Sequence, residues 1–179
     1  MTTKVLSNDF MQRSLDTEAW KYITMEFNWT YELIEKFKDK IDWHELCYSS
    51  RIFWSIPFIN KYKEYIDWDS LSTYSPSYMI TEEYLEEFKD NWNWSKLSYS
   101  EYLTGQILDK FIDKWSWENI INNRERIYDR GWNIWHSNTA IEFYERYKGY
   151  IPEEQLQSSE LWKSMIRERK LQLISEIIA

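Results

Sequence analysis

The chain has 179 residues, enough for one domain or one short solenoid with a sizeable core. Its 12 Trp, 14 Tyr and 8 Phe far exceed ordinary usage, while 3 Gly, 3 Pro, 3 Ala and one Val leave little material for turn-rich sandwiches or doubly wound α/β folds. The net charge of −8 falls on residues 1–120, where 13 basic residues face 21 acidic ones, against nine of each in residues 121–179. Such a body disfavours direct nucleic-acid binding, keeps an aromatic-rich chain soluble, and leaves open a basic partner, including a nucleic-acid-binding protein.

The single cysteine, Cys47, has no internal disulfide partner. The first ten residues lack the apolar core of a signal peptide, and no run approaches the roughly 20 apolar residues of a membrane span. The expectation is a soluble, cytoplasmic protein with no membrane partner and no cofactor.

Residues 1–28 form a leader. Residues 1–15 read as a loose lead-in, and Asp16 as the N-cap of a helix from Thr17 to about Phe27, with Trp20, Ile23 and Phe27 at helical spacing. Asn28-Trp29 either closes this leader or is a degenerate copy of the Asp-Trp step that follows.

Residues 29–46, 54–71, 80–97 and 103–120 then align without a gap. The second Trp of these units falls at 43, 68, 94 and 117, a spacing of 25, 26 and 23 residues, in the range of solenoid repeats. Thr30, Ser55, Thr81 and Thr104 share one column and are all N-cap types; Pro57 lies just inside the second unit's helix. Apolar residues follow as one face of a helix of some ten residues, such as Leu33, Ile34, Phe37 and Ile41. Asp42, Asp67, Asn93 and Ser116 form a second N-cap column, immediately before the recurring Trp. Each unit is therefore expected to be a longer helix, a sharp corner and a short helix that carries Trp and Leu into a core shared with its neighbours.

Residues 121–138 are an insertion holding Arg124, Arg126, Arg130, Trp132, Trp135 and His136. Residues 139–156 repeat the apolar columns a fifth time but have Glu153 in place of the Trp and Pro152 at the cap, as a degenerate terminal unit would. From Ser159 the chain reads as a capping helix started by Ser158 or Ser159. Leu161, Trp162, Met165, Ile166, Leu173, Ile174 and Ile177 supply its apolar face. The fold class predicted is all-α: a short solenoid of about five imperfect helical-hairpin repeats of period 23–26, with leader and C-terminal capping helices, in one structural domain.

The Trp-x-x-Leu-Ser steps at 68–72 and 94–98, after a helix of the form Leu-x-x-Phe-x-Asp-x-Trp at 85–92, resemble short Trp-containing helical repeats of giant-virus, phage and bacterial proteins. The resemblance covers residues 29–120 well and 139–156 poorly. It implies a helical repeat scaffold and carries over no catalytic or binding residue. By analogy it implies a phage-encoded inhibitor of a host defence effector, anti-CRISPR-like or otherwise anti-immune, acting in the host cytoplasm.

Chemistry-bearing patterns are few. His44 and Cys47 lie three apart, but no spacing offers the two further ligands of a tetrahedral metal site. Cys47 shares the column of Ser72 and Ser98, which marks a small corner residue more than an activated thiol. No Gly-rich phosphate loop, Gly-x-Ser-x-Gly or His-Glu-x-x-His occurs. A column Trp is core, whereas aromatics off the columns are candidates for recognition: Tyr48, Tyr74, Tyr78, Tyr99 and Tyr102 in the corner loops, Trp132 and Trp135 in the insertion. The acidic surface of Glu82, Glu83, Glu86, Glu87 and Asp90 is the candidate face for a basic protein. Arg124, Arg126, Arg130 and His136 beside two Trp suit a small anionic nucleotide equally well. The expected function is non-enzymatic binding of another protein. Sequestration of an anionic nucleotide signal is the alternative, and an enzyme of unknown type comes third.

Overall fold

The computed structural model describes residues 8–49, 51–123 and 140–178, which hold twelve α-helices, one short 3₁₀ turn at Ser77–Met79 and no strand. They fall into two compact units, Met1–Tyr74 and Ser75–Ala179. The first unit contains α1 (Asp9–Glu26), α2 (Tyr31–Phe37), α3 (Trp43–Tyr48), α4 (Ile56–Tyr62) and α5 (Trp68–Thr73). The second contains α6 (Glu82–Glu87), α7 (Trp94–Leu97), α8 (Gly105–Lys110), α9 (Trp117–Asn122), α10 (Ala140–Tyr147), α11 (Glu153–Leu156) and α12 (Glu160–Ile178).

Both columns of cap residues act as caps. The side chains of Thr30, Ser55, Thr81 and Thr104 accept from the amides of Leu33, Phe58, Tyr84 and Ile107. Those of Asp42, Asp67, Asn93 and Ser116 accept from the amides of Glu45, Ser70, Lys96 and Asn119. The first helix of each hairpin is shorter than the periodicity implies: α2 ends at Phe37 and α4 at Tyr62, and one further turn leads to the corner. Its orphaned terminal carbonyls explain the recurring Trp. The indole N–H of Trp43 donates to the Lys38 carbonyl at 2.9 Å, Trp68 to Lys63 at 3.2 Å, Trp94 to Lys89 at 2.9 Å and Trp117 to Ile112 at 3.1 Å. Each Trp thus closes the helix before it. Trp68 and Trp94 are half-exposed, whereas Trp43 and Trp117 are buried. Within each unit the apolar columns make the core proper: Ile34, Ile59, Leu46 and Leu71 in Met1–Tyr74, and Leu85, Leu108 and Leu97 in Ser75–Ala179, all fully buried.

In the first unit α1 replaces a hairpin that would precede α2. It starts at Asp9, capped by Asn8, so residues 9–15 are helical and Asp16 is not the cap: its carboxylate accepts from Gln12 instead. Trp20 packs on Phe37 with ring centroids 5.5 Å apart, as Trp43 packs on Tyr62 at 5.4 Å. Thr24, four residues after Trp20 as Cys47 is after Trp43, is fully buried. Its hydroxyl donates to the Trp20 carbonyl at 2.7 Å and accepts from the Asp42 amide at 3.2 Å. The degenerate copy is therefore Trp20–Thr24. Trp29 sits in the column of the buried Trp54 and donates its indole N–H to the Thr24 carbonyl at 3.0 Å, closing α1.

The second unit repeats these contacts. Trp94 packs on Phe111 at 5.3 Å and Trp117 on Tyr147 at 4.9 Å. Ser98 plays the part of Thr24: its hydroxyl donates to the Trp94 carbonyl at 2.7 Å and accepts from the Ser116 amide at 3.0 Å. Ser159 caps α12 by accepting from the Trp162 amide, and α12 packs on α9 and α10. Only Leu161 of the expected apolar face is buried, however. Residues 171–178 are exposed throughout, Leu171 at 66% and Ile177 at 82%, because α12 outruns the short helices it leans on.

Candidate interaction site

Two of the off-column aromatics, Tyr48 and Tyr74, come together at one corner of the first unit. His44 is the second residue of α3; its counterparts one residue after each recurring Trp are Asp69, Ser95 and Glu118. Tyr48 ends α3, and Tyr74 follows α5. The Tyr48 and Tyr74 ring centroids are 4.1 Å apart with planes tilted by 40°, and His44 lies 5.0 Å from Tyr48. Tyr48 is 44% and Tyr74 50% exposed, and 52% of the His44 side chain is open. Two hydroxyl-bearing faces and an imidazole therefore meet solvent as one strip.

The strip is fixed from below by the cap of α5. Ser70, which is buried, donates its only hydroxyl proton to Asp67 Oδ2 at 2.9 Å. Its oxygen therefore accepts from His44 Nδ1, 2.8 Å away, and Asp67 Oδ2 lies 2.7 Å from the same nitrogen. Since neither Asp67 nor Ser70 has a proton left to give, Nδ1 carries the hydrogen and Nε2 is the acceptor of the neutral ring. This is not a nucleophilic triad: all three groups converge on Nδ1, and the Ser70 hydroxyl is buried. Burial pushes the Asp67 carboxyl up, but the hydrogen bonds from His44, the Ser70 amide and the Ser70 hydroxyl together outweigh it and hold the group below the usual carboxylate range. The hydrogen bond to Tyr74, with burial, pushes the Tyr48 phenol up.

The equivalent corner of the second unit has the same framework and lacks the strip. There Asn119 donates to the Ser95 carbonyl and hydroxyl at 2.9 and 2.8 Å, and accepts from the exposed Tyr99 at 2.9 Å. In the place of Tyr74 is Asn123, buried and turned inward with its amide 3.5 Å from the Ser98 carbonyl.

The other sequence candidates are dispersed. Tyr78 is half-buried with its ring 6.3 Å from that of Tyr84, and Tyr102 is exposed beside Glu101, whose hydrogen bond pushes its phenol up. Glu82 is committed to Gln106 at 2.7 Å and Lys110 at 2.8 Å, and Glu86 to Lys89 at 2.9 Å, while Glu83, Glu87 and Asp90 are exposed. A shallow depression of about 260 Å³ lies beside them, lined by Glu86, Lys89, Lys110 and residues 111–114. Two of its lysines are those already paired to Glu82 and Glu86. Arg124, Arg126, Arg130, Trp132, Trp135 and His136 lie outside the described residues.

Cys47 is buried; its thiol is pushed up to about 12, chiefly by burial and then by Asp67, and makes a 3.6 Å contact to the Asp67 carbonyl. Among the described residues no group of three or more His, Cys, Asp or Glu is placed to hold a metal, and no helix is long and apolar enough to cross a membrane. Comparison with protein-family models, with curated proteins and with solved structures finds no match.

Sequence reasoning named Tyr48 and Tyr74 and weighed His44 only as a metal ligand. Asp67 was named only as a cap and Ser70 not at all. The available signals are that His44 and Ser70 both depart from their columns.

Proposed function

We propose that the chain is a non-enzymatic, protein-binding repeat protein of five imperfect helical hairpins, and that the His44–Tyr48–Tyr74 corner is its main contact. One observation carries the reading: two exposed tyrosines pack ring against ring, centroids 4.1 Å apart, beside the His44–Ser70–Asp67 cap network, two of whose members depart from their repeat columns. Tyrosines anchored in this way present large contact area with little entropy left to lose, the usual make-up of a binding hot spot. The acidic body favours a basic partner, such as a nucleic-acid-binding effector, and inhibition of such an effector in a phage setting is the finer form of the proposal. The anionic-nucleotide alternative rests on Arg124–His136, which lie outside the described residues.

The test is affinity purification of the tagged protein from a bacterial host beside its Tyr48→Ala/Tyr74→Ala variant. A stoichiometric partner retained by the parent and lost by the variant supports the reading. Equal retention moves the site elsewhere. A released nucleotide with no protein favours sequestration.

A further inference from the structure

We infer that the His44–Tyr48–Tyr74 corner receives an arginine side chain of the partner. The inference rests on the binding role just proposed and adds the chemistry of what is bound. Tyr48 and Tyr74 pack ring against ring, centroids 4.1 Å apart and planes tilted by 40°, and each remains about half exposed, so the electron-rich outer face of either ring can receive a planar guanidinium. His44 adds an acceptor beside those rings, because its Nδ1 hydrogen is turned inward to Ser70 and Asp67 and its Nε2 remains to receive an N–H from the guest.

Two carboxylates bear on the corner. Asp67 is held as the anion, and Glu45 stands close enough to Tyr48 to raise its phenol electrostatically. The residue whose charge bears on Asp67 is His44, neutral when the imidazole is unprotonated. An anionic guest would meet Glu45 and Asp67, and an apolar one would leave Nε2 without a partner. A guanidinium combines a planar face to stack on an exposed tyrosine ring, N–H donors for Nε2 and a charge opposite to the carboxylates; a lysine ammonium has no planar face to stack. The equivalent corner of the second unit keeps Tyr99 but offers a buried Asn123 and a Ser95–Asn119 pair, so it lacks both the second ring and the imidazole.

The experiment uses the full chain and two synthetic peptides, one with four arginines spaced by glycine and one with four lysines at the same positions. Binding is followed by calorimetry and by NMR shifts of the tyrosine rings at physiological salt. The arginine peptide should bind more tightly than the lysine peptide and shift the rings of Tyr48 and Tyr74. Tyr48→Leu and Tyr74→Leu keep apolar bulk on an exposed surface, and should each weaken the arginine peptide about 3- to 5-fold, the size of an exposed cation–π contact. His44→Ala should weaken it by a similar factor. Equal binding of the two peptides, or undiminished binding by both leucine variants, overturns the inference, since general acidity would then explain the affinity. If a partner is captured through Tyr48 and Tyr74 while the arginine peptide leaves them unmoved, the arginine assignment falls and the binding role stands. A peptide that binds at the corner of a chain that captures no partner has the reverse meaning.

Discussion

Trp43 tests whether successive hairpins are joined by the aromatic contact between them. The residue is 8% exposed, its indole donates to the Lys38 carbonyl at 2.9 Å, and its ring lies 5.4 Å from both Tyr62 and Tyr65 of the next hairpin. Trp43→Ala removes a buried aromatic and should cost about 3–5 kcal/mol. Trp43→Phe keeps a ring and loses only the N–H; Lys38 is half-buried, so water replaces that donor and the cost of the lost bond should be about 1 kcal/mol. For a chain of this size each kcal/mol moves the midpoint by about 2–4 °C, so Ala should lower the melting temperature by about 6–20 °C. A cycle with Tyr62→Ala should return a coupling of about 0.5–1.5 kcal/mol, because the two rings meet only across the hairpin interface. Circular dichroism melts and urea titrations read both numbers. A shift below about 3 °C for Trp43→Ala, or additivity within about 0.3 kcal/mol, would show that the indole caps its own helix and does little between hairpins.

Thr24→Val keeps the shape of a buried residue and leaves the Asp42 amide without its acceptor; it should cost about 1–3 kcal/mol in urea unfolding, with Thr24→Ser largely restoring stability, and an unchanged midpoint would refute the relay. Glu35 is held down from 4.5 to about 2 by hydrogen bonds from Lys61, Tyr62 and Lys38. A depressed carboxyl contributes stability above its unfolded value and loses it as pH falls through the folded one, so Glu35→Gln should flatten the stability–pH curve between about 4.5 and about 2; an unaltered acid limb sinks that assignment. Cys47, with its thiol pushed up to about 12, should resist alkylation in the folded protein at mildly alkaline pH and react fully in denaturant, as mass spectrometry would record; rapid labelling of the native chain contradicts the burial.

The scaffold was legible because it is local chemistry repeated. A cap residue acts on amides two and three positions ahead, and the recurring Trp on a carbonyl five positions behind, so both leave a fixed spacing in the chain. Helix lengths were less legible: the apolar columns run on past Phe37 and Tyr62 through a closing turn, in which the Ile41 amide donates to the Phe37 carbonyl and the Ile66 amide to that of Tyr62, so the same face stays inward after the helix proper has ended. The start of α1 was missed because Asn8 competes with Asp16 for the cap, and residues 9–15 show no apolar face; Phe10, Met11 and Leu15 are all exposed. The register of Trp20–Thr24 was missed because Thr replaces Ser or Cys, and no Asp or Asn precedes the Trp. What joins them is a hydroxyl that both donates backward and accepts forward, a property visible only once the hairpins are stacked.

The corner lies at the limit of that logic. A column shared by the hairpins of both units is set by the packing within each unit and carries no information about a partner, whereas a departure must be explained one position at a time. At the position after the recurring Trp, Asp69, Ser95 and Glu118 are alternatives that a solvated helix start accepts equally. Histidine there is different, since a neutral imidazole gains nothing from the helix dipole at that end. What it gains is the Ser70–Asp67 acceptor pair of the neighbouring cap, and Ser70 is as particular to its hairpin as His44 is: its counterparts are Glu45, Lys96 and Asn119. Two coupled departures, one on each of two stacked hairpins, with Tyr48 and Tyr74 beside them, concentrate the non-repeating chemistry of the first unit on one small exposed strip. The Ser95–Asn119 pair shows that the stacking can be satisfied at this place with neutral side chains and no second ring. The aromatic strip is therefore surplus to what the packing of the hairpins requires, and that surplus is the physical ground for proposing it as a recognition site.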